Sequence, residues 1–291
     1  MIDEPLKRNL PISSAVVMLT MLGLGGLLLC ISFNLIMTLA GLAEHELVVL
    51  KITVVLQNIL TFILPAVFFA WFIAFKPFSF LRVDRAPSLK SILLLLLVFV
   101  FMTPAMNYII EWNESLKLPE FLSGLEEWMK ASEDAAKAAT EKLVDTSSFG
   151  NMVIAVLSIG VLTGIGEEFF FRGALQGFLC KHMNYHWAVW IAAFVFSLMH
   201  FQFYGFVPRM LLGALFGYMF VWSGSLWLPI IGHAFNNSSV VVSQYLMENG
   251  IIEADISKIG YDSVMLIVSS AVVTLLILIA WNKKLNKAKN E

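Results

Sequence analysis

Charge is scarce in this chain. Asp, Glu, Lys and Arg make up only 14% of its 291 residues, far below what a soluble domain of that length displays. Cysteine is scarcer still. Cys30 and Cys180 are the whole complement, and both fall in apolar runs, which argues against a disulfide framework or a paired-cysteine metal site. The net charge of −2 and the lack of a basic, aromatic-interleaved patch exclude nucleic acid as an expected partner. No internal repeat and no low-complexity linker divides the chain, so a single domain over 1–291 is the simplest organisation. What fills the sequence instead is hydrophobic residues, at 59% with a mean hydropathy of +0.81. That composition predicts a polytopic membrane protein.

A bilayer core takes about 20 apolar residues per helix. On that measure the chain divides into about eight spans, near 13–42, 49–75, 90–110, 148–180, 187–204, 208–223, 226–244 and 263–281. The expected fold is therefore all-α: a membrane bundle with any active site in an intramembrane cavity. The first run follows Lys7 and Arg8 but is too long for the apolar part of a signal peptide, so a retained helix is expected. The fourth segment is long for one crossing, which predicts tilt, projection beyond the bilayer, or a break near Gly164 and Gly166. The division expected is three N-terminal spans (1–110), an extracytoplasmic amphipathic loop (111–147), a core (148–245), then the last span and a basic tail (246–291).

Lysine and arginine set orientation. The 76–90 loop carries Lys76, Arg82, Arg85 and Lys90, and the tail carries Lys283, Lys284, Lys287 and Lys289. Together with Lys7 and Arg8, these predict both termini in the cytoplasm of a cell-membrane protein; a prokaryotic source is a separate expectation. The 111–147 loop is acidic and faces outside in that arrangement. Within it Phe121, Leu122, Leu125, Trp128 and Met129 recur at helical spacing, and Ser132 is placed to cap a second helix. Such a segment either covers a cavity as an interfacial helix or simply caps the bundle.

Against this background, ionisable residues inside the apolar runs stand out, because charge at membrane depth is expensive unless it meets a partner or a water-filled cavity. Glu168 and Arg172 are four apart and share a helical face, which predicts an ion pair. Glu167 is rotated about 100° from Glu168, so the two glutamates are not expected to meet the same partner. Glu167 is then free to face a cavity and take a proton. His233 and Asn237 are also four apart, a pairing able to orient water or hold an oxyanion. His200 follows Phe196 by the same spacing. The plain alternatives are a buried polar network that fixes packing and a histidine bonded to a backbone carbonyl. His45, His182 and His186 lie at expected loop edges and receive no role.

The runs Glu167-Glu168-Phe-Phe-Phe-Arg172, Phe196-Ser-Leu-Met-His200 and His233-Ala-Phe-Asn-Asn237 resemble the three successive motifs of the CPBP intramembrane proteases. These include the CAAX-processing endopeptidases and the bacterial bacteriocin-processing or Abi proteins. The resemblance covers roughly 150–245. It implies a glutamate-dependent endopeptidase with Glu167 as general base, His200 assisting it, His233 and Asn237 at the oxyanion, and Glu168 with Arg172 in support. It also implies a membrane-associated, prenylated or peptide substrate and no cofactor. The His-Glu-x-x-His signature of zinc proteases is missing. Zinc held by the same Glu and His residues is nevertheless an alternative, as is a non-catalytic immunity protein or a transporter with a proton relay.

Overall fold

The computed structural model describes residues 4–42, 46–253 and 255–290. Its regular structure is helical, and the sole β-type pairing among the described residues is an isolated bridge between Leu6 and Ala74. The chain runs through α1 (Ile12–Leu39), α2 (Leu47–Ile73), α3 (Leu89–Glu114), α4 (Ser123–Leu143) and α5 (Phe149–His182). It continues through α6 (Tyr185–Leu198), α7 (Phe206–Ser223), α8 (Trp227–Glu248) and α9 (Val264–Asn290).

Helix starts follow local chemistry. The Ser88 hydroxyl accepts from the Ser91 amide at the head of α3, Ser148 does the same for Asn151 at α5, and the Asn184 side chain does so for His186 at α6. α7 stops at Gly224, whose φ of +69° is a left-handed conformation that glycine adopts without a steric penalty. Pro104 interrupts the ladder of α3. There Ser270 of α9 inserts its hydroxyl, donating to the Phe101 carbonyl and accepting from the Ala105 amide. The helix-breaking proline is thus satisfied by a neighbouring helix, as the bilayer interior requires.

All eight expected spans are present as helices, with ends close to those read from hydropathy. Among the described residues six segments are long and apolar enough to cross a bilayer by length and composition. α6 falls short in length, with 14 residues, and α8 carries His233, Asn236 and Asn237 in its middle. Outward faces of the spans present Leu28 and Leu35 on α1, Trp71 on α2, Val100 on α3 and Leu275 on α9, each more than half exposed. A continuous apolar surface of this kind is what hydrocarbon accepts and water does not.

Two expectations change. The 111–147 loop holds one helix rather than two, since α4 runs unbroken through Ser132 after a short 3-10 turn at Glu120–Leu122. The run of alanines and long polar side chains keeps helix propensity high across that serine. The fourth span does not break at Gly164 or Gly166. Instead α5 widens into π turns at Val156–Leu162 and Phe169–Gln176, on either side of Thr163–Glu168.

The two ends of the bundle differ. At one end the N-terminal segment is tied down. Lys7 donates its amide to the Ile73 carbonyl, Lys76 its amide to Glu4, and Lys181 its Nζ to the Glu4 carbonyl. The Arg82–Arg85 segment lies at this end as well, accepting from the Leu226 amide and the Ser225 hydroxyl. At the opposite end lie α4, the turn after α6, and the junction where Thr146 bonds Glu248.

Candidate active site

α2 and α8 hold the glutamate-bearing stretch of α5 from two directions. Asn58, in a π turn of α2 at Asn58–Ile63, donates to the Thr163 hydroxyl at 3.2 Å, and Thr163 donates on to the Ser158 carbonyl. From the other side Asn237 donates to the Ile159 carbonyl at 3.3 Å. Both ties end on the same π turn, one helical step before the glutamates. π turns of this sort recur at functional sites because they re-aim side chains out of the regular helical phase. Asn58 also lies against Gly166, where a Cβ would sit 2.7 Å from its Oδ1, so only glycine admits this approach.

Glu168 and Arg172 form the expected pair. Nη1 lies 2.7 Å from Oε1, and both side chains are wholly buried. The second terminal nitrogen of Arg172 donates to the Gly213 carbonyl of α7 at 3.0 Å, and its guanidinium lies over the Phe196 ring at 4.5 Å from the centroid. One turn along, the buried Gln176 repeats the pattern, donating to the Gly217 carbonyl at 2.9 Å.

His233 corrects the expectation that the two glutamates share no partner. Its Nδ1 lies 2.8 Å from Glu168 Oε1, and its Nε2 lies 3.6 Å from Glu167 Oε2. An imidazole has a nitrogen on each of two edges, so one ring spans two carboxylates that point in different directions. Phe216 stacks on that ring at 5.1 Å and holds its plane. His200 approaches from the turn after α6. Its Nδ1 faces the Phe196 carbonyl at 2.8 Å, which leaves Nε2 at 3.9 Å from Glu167 Oε1.

Those partners fix which tautomer each ring takes in its neutral form. A carbonyl and a carboxylate oxygen only accept, so Nδ1 carries the proton in both histidines and each Nε2 presents a lone pair. Glu167 is therefore flanked by two acceptor nitrogens, each beyond direct hydrogen-bond reach of its nearer oxygen. A water lying to one side of the Glu167–His200 pair can reach both. Glu167 is buried, and among the described residues no hydrogen bond within normal limits engages its carboxylate.

The structure thus brings Glu167, Glu168, Arg172, His200 and His233 together. Asn237 stands one turn from His233. Its amide meets Ile159 and its oxygen accepts from Asn236 at 3.2 Å, rather than contacting the cluster by hydrogen bond. Among the buried polar residues that sequence reading passed over, Asn58 and Gln176 lie beside the cluster. Each is an amide within an apolar run, Asn58 directly after Gln57, and that is their only sequence signal. His182 bonds the Phe178 carbonyl and Asn9, and His186 meets the Tyr218 hydroxyl, both apart from the cluster. His45 lies outside the described residues. The two cysteines are free thiols.

Residues 149–239, from the start of α5 to the middle of α8, match the family model described as type II CAAX prenyl endopeptidase Rce1-like. The chain is also similar to a Bacillus subtilis (strain 168) protein named Uncharacterized protein YpbD. Identity is 28% over 82 residues, which is 27% of this chain and 39% of that protein. The chain thus spans well under half the length of this relative. No solved structure matches it.

Proposed function

We propose that the chain is a glutamate-dependent endopeptidase acting within the cell membrane, with both termini in the cytoplasm. The observation that carries the proposal is the approach of two histidine Nε2 atoms to one buried carboxylate that, among the described residues, has no hydrogen bond within normal limits. The match to a CAAX prenyl endopeptidase family over the same residues supports it.

In this reading a water between Glu167 and His200 gives one proton to the Glu167–His200 pair as its oxygen forms a bond to the scissile carbonyl carbon. The carbonyl π electrons move to oxygen. His233, once its Nε2 has taken a proton from solvent before the attack, and the second N–H of the Asn237 amide supply donors to that oxyanion. When the intermediate collapses, the carbon–nitrogen bond breaks and the departing amine takes the proton that Glu167 held. Glu168 shares its Oε1 between Arg172 and His233, so its charge is balanced while the ring is held in place. No acyl-enzyme forms. The substrate is a membrane-associated protein or peptide.

The test compares cells making the wild-type chain with cells making Glu167→Gln, by mass spectrometry of new peptide termini in the membrane fraction. Termini present with the first and lost with the second support an endopeptidase. Identical sets of termini reject it.

A further inference from the structure

Resting on that reading, we infer that the catalytic cluster opens only towards the extracytoplasmic face, so that its substrate is the outward-facing, membrane-associated stretch of an exported polypeptide. The first observation is a gradient of exposure. The His200 side chain is 27% exposed, Glu167 10% and His233 6%, whereas Glu168, Arg172 and Gln176 are 0%. The cluster is therefore reached from the His200 side and closed at the Arg172 layer. Beyond that layer Phe80, Leu81 and Leu226 pack against α5 at Gly173 and Gly177 and are themselves fully buried. The floor is sealed.

The second observation is which end of the bundle each side belongs to. The plug formed by Phe80, Leu81 and Leu226 sits at the end that gathers Lys7, Arg8, Lys76, Arg82, Arg85, Lys90 and Lys181, the end that the lysine and arginine bias assigns to the cytoplasm. α6 starts at that same end. With 14 residues it rises about 21 Å, short of a bilayer core of about 30 Å. His200 consequently sits in a turn recessed below the opposite face. Asn113 of α3 pins the turn by donating to the Phe203 carbonyl and accepting from the Val207 amide. Trp128 of the amphipathic α4 lies on Phe203 at 5.4 Å, so α4 borders the recess from outside. Arg209 and Gln202, bonded to each other at 2.8 Å, give that recess its polar lining. A polypeptide anchored at the cytoplasmic face meets only the sealed floor.

The test is cysteine labelling of the full chain, which does not depend on cleavage. In a Cys30→Ala, Cys180→Ala background, single cysteines are placed by Phe121→Cys, Gln202→Cys and Lys90→Cys. Sealed right-side-out vesicles are treated with a membrane-impermeant maleimide, and each variant is also labelled in detergent to establish that its thiol reacts. We expect the first two to label in sealed vesicles, and Lys90→Cys to label only after permeabilisation, with at least a tenfold difference in rate. Labelling of Lys90→Cys alone in sealed vesicles overturns the sidedness. Labelling of Phe121→Cys with none of Gln202→Cys, before or after permeabilisation, overturns the outward mouth. Outward labelling in a chain whose Glu167→Gln variant leaves all peptide termini unchanged sustains the opening and rejects the protease instead.

Discussion

Glu168 Oε1 and His233 Nδ1 stand 2.8 Å apart in the fully buried heart of the bundle, and the same oxygen receives Arg172 Nη1 at 2.7 Å. One carboxylate oxygen therefore sets both the tautomer of the neutral imidazole and the position of Arg172. Removing Arg172 leaves that carboxylate with the histidine alone. Losing one partner of a buried ion pair costs about 3–5 kcal/mol. Arg172→Ala should accordingly give a much lower detergent-solubilised yield and melting temperature than Glu167→Gln. Arg172→Lys should rescue only weakly, because an ammonium lacks the planar fork that bonds Glu168 and Gly213 together while lying on Phe196. Equal thermal stability of all three variants would count against the pair as a structural element.

Glu167→Gln keeps shape and loses the base. Cleavage should fall by about 10²–10⁴-fold, while yield, membrane insertion and melting temperature stay close to wild type, since among the described residues no ion pair shorter than 3.6 Å is lost. Unchanged cleavage would move the general base to another residue.

Gly217 faces Gln176 so closely that an added Cβ would lie 2.7 Å from its Oε1. Gly217→Ala forces the amide or the helix to move, an overpacking that typically costs about 1–3 kcal/mol. The gain in helix propensity over glycine, about 1 kcal/mol, does not offset the clash. Thermal melts of the purified variant should show destabilisation, and a higher melting temperature would mean that Gln176 swings aside freely.

Much of this arrangement was written in local pattern. Continuous apolar runs located the helices, and the spacing of four between Glu168 and Arg172 located their bond, because both signals are confined to one segment. The meeting of His233 with two glutamates was not legible. It depends on how α5 and α8 cross, and on π turns that shift the phase of α5 away from 100° per residue. Asn237 shows the same limit. Its spacing from His233 predicts a shared face, yet its amide is taken by the Ile159 carbonyl that the π turn brings within reach.

Asn58, through its bond to Thr163, extends the candidate site beyond the matched segment, and that bond is testable as a pair. Asn58→Ala and Thr163→Val each remove one link of the chain from α2 to the Ser158 carbonyl. Each should cost on the order of 1 kcal/mol and lower cleavage by displacing Glu167, which follows four residues after Thr163. Because both break one connection, the double variant should be no worse than the poorer single one, a coupling that a double-mutant cycle reads directly. Additive losses in stability and in cleavage would mean that the two residues act separately.

Metal content separates water activation by Glu167 and His200 from activation on zinc. A zinc centre built here would need His200, His233 and Glu167 to converge within about 2.0–2.2 Å of one point. Among the described residues no group of three or more His, Cys, Asp or Glu side chains is arranged to hold a metal ion. The second nitrogens of both histidines are nonetheless bonded in the way that metal ligands are often held, so the distinction calls for measurement. Protein purified and equilibrated with a chelator should contain no stoichiometric metal by elemental analysis and should keep its cleavage rate. Inhibition by excess zinc would not contradict this, because the ion competes for the same lone pairs that receive protons from water. Zinc near one per chain, tracking activity through removal and restoration, would replace the glutamate mechanism, with the nucleophile then supplied by bound water whose pKa falls to about 7.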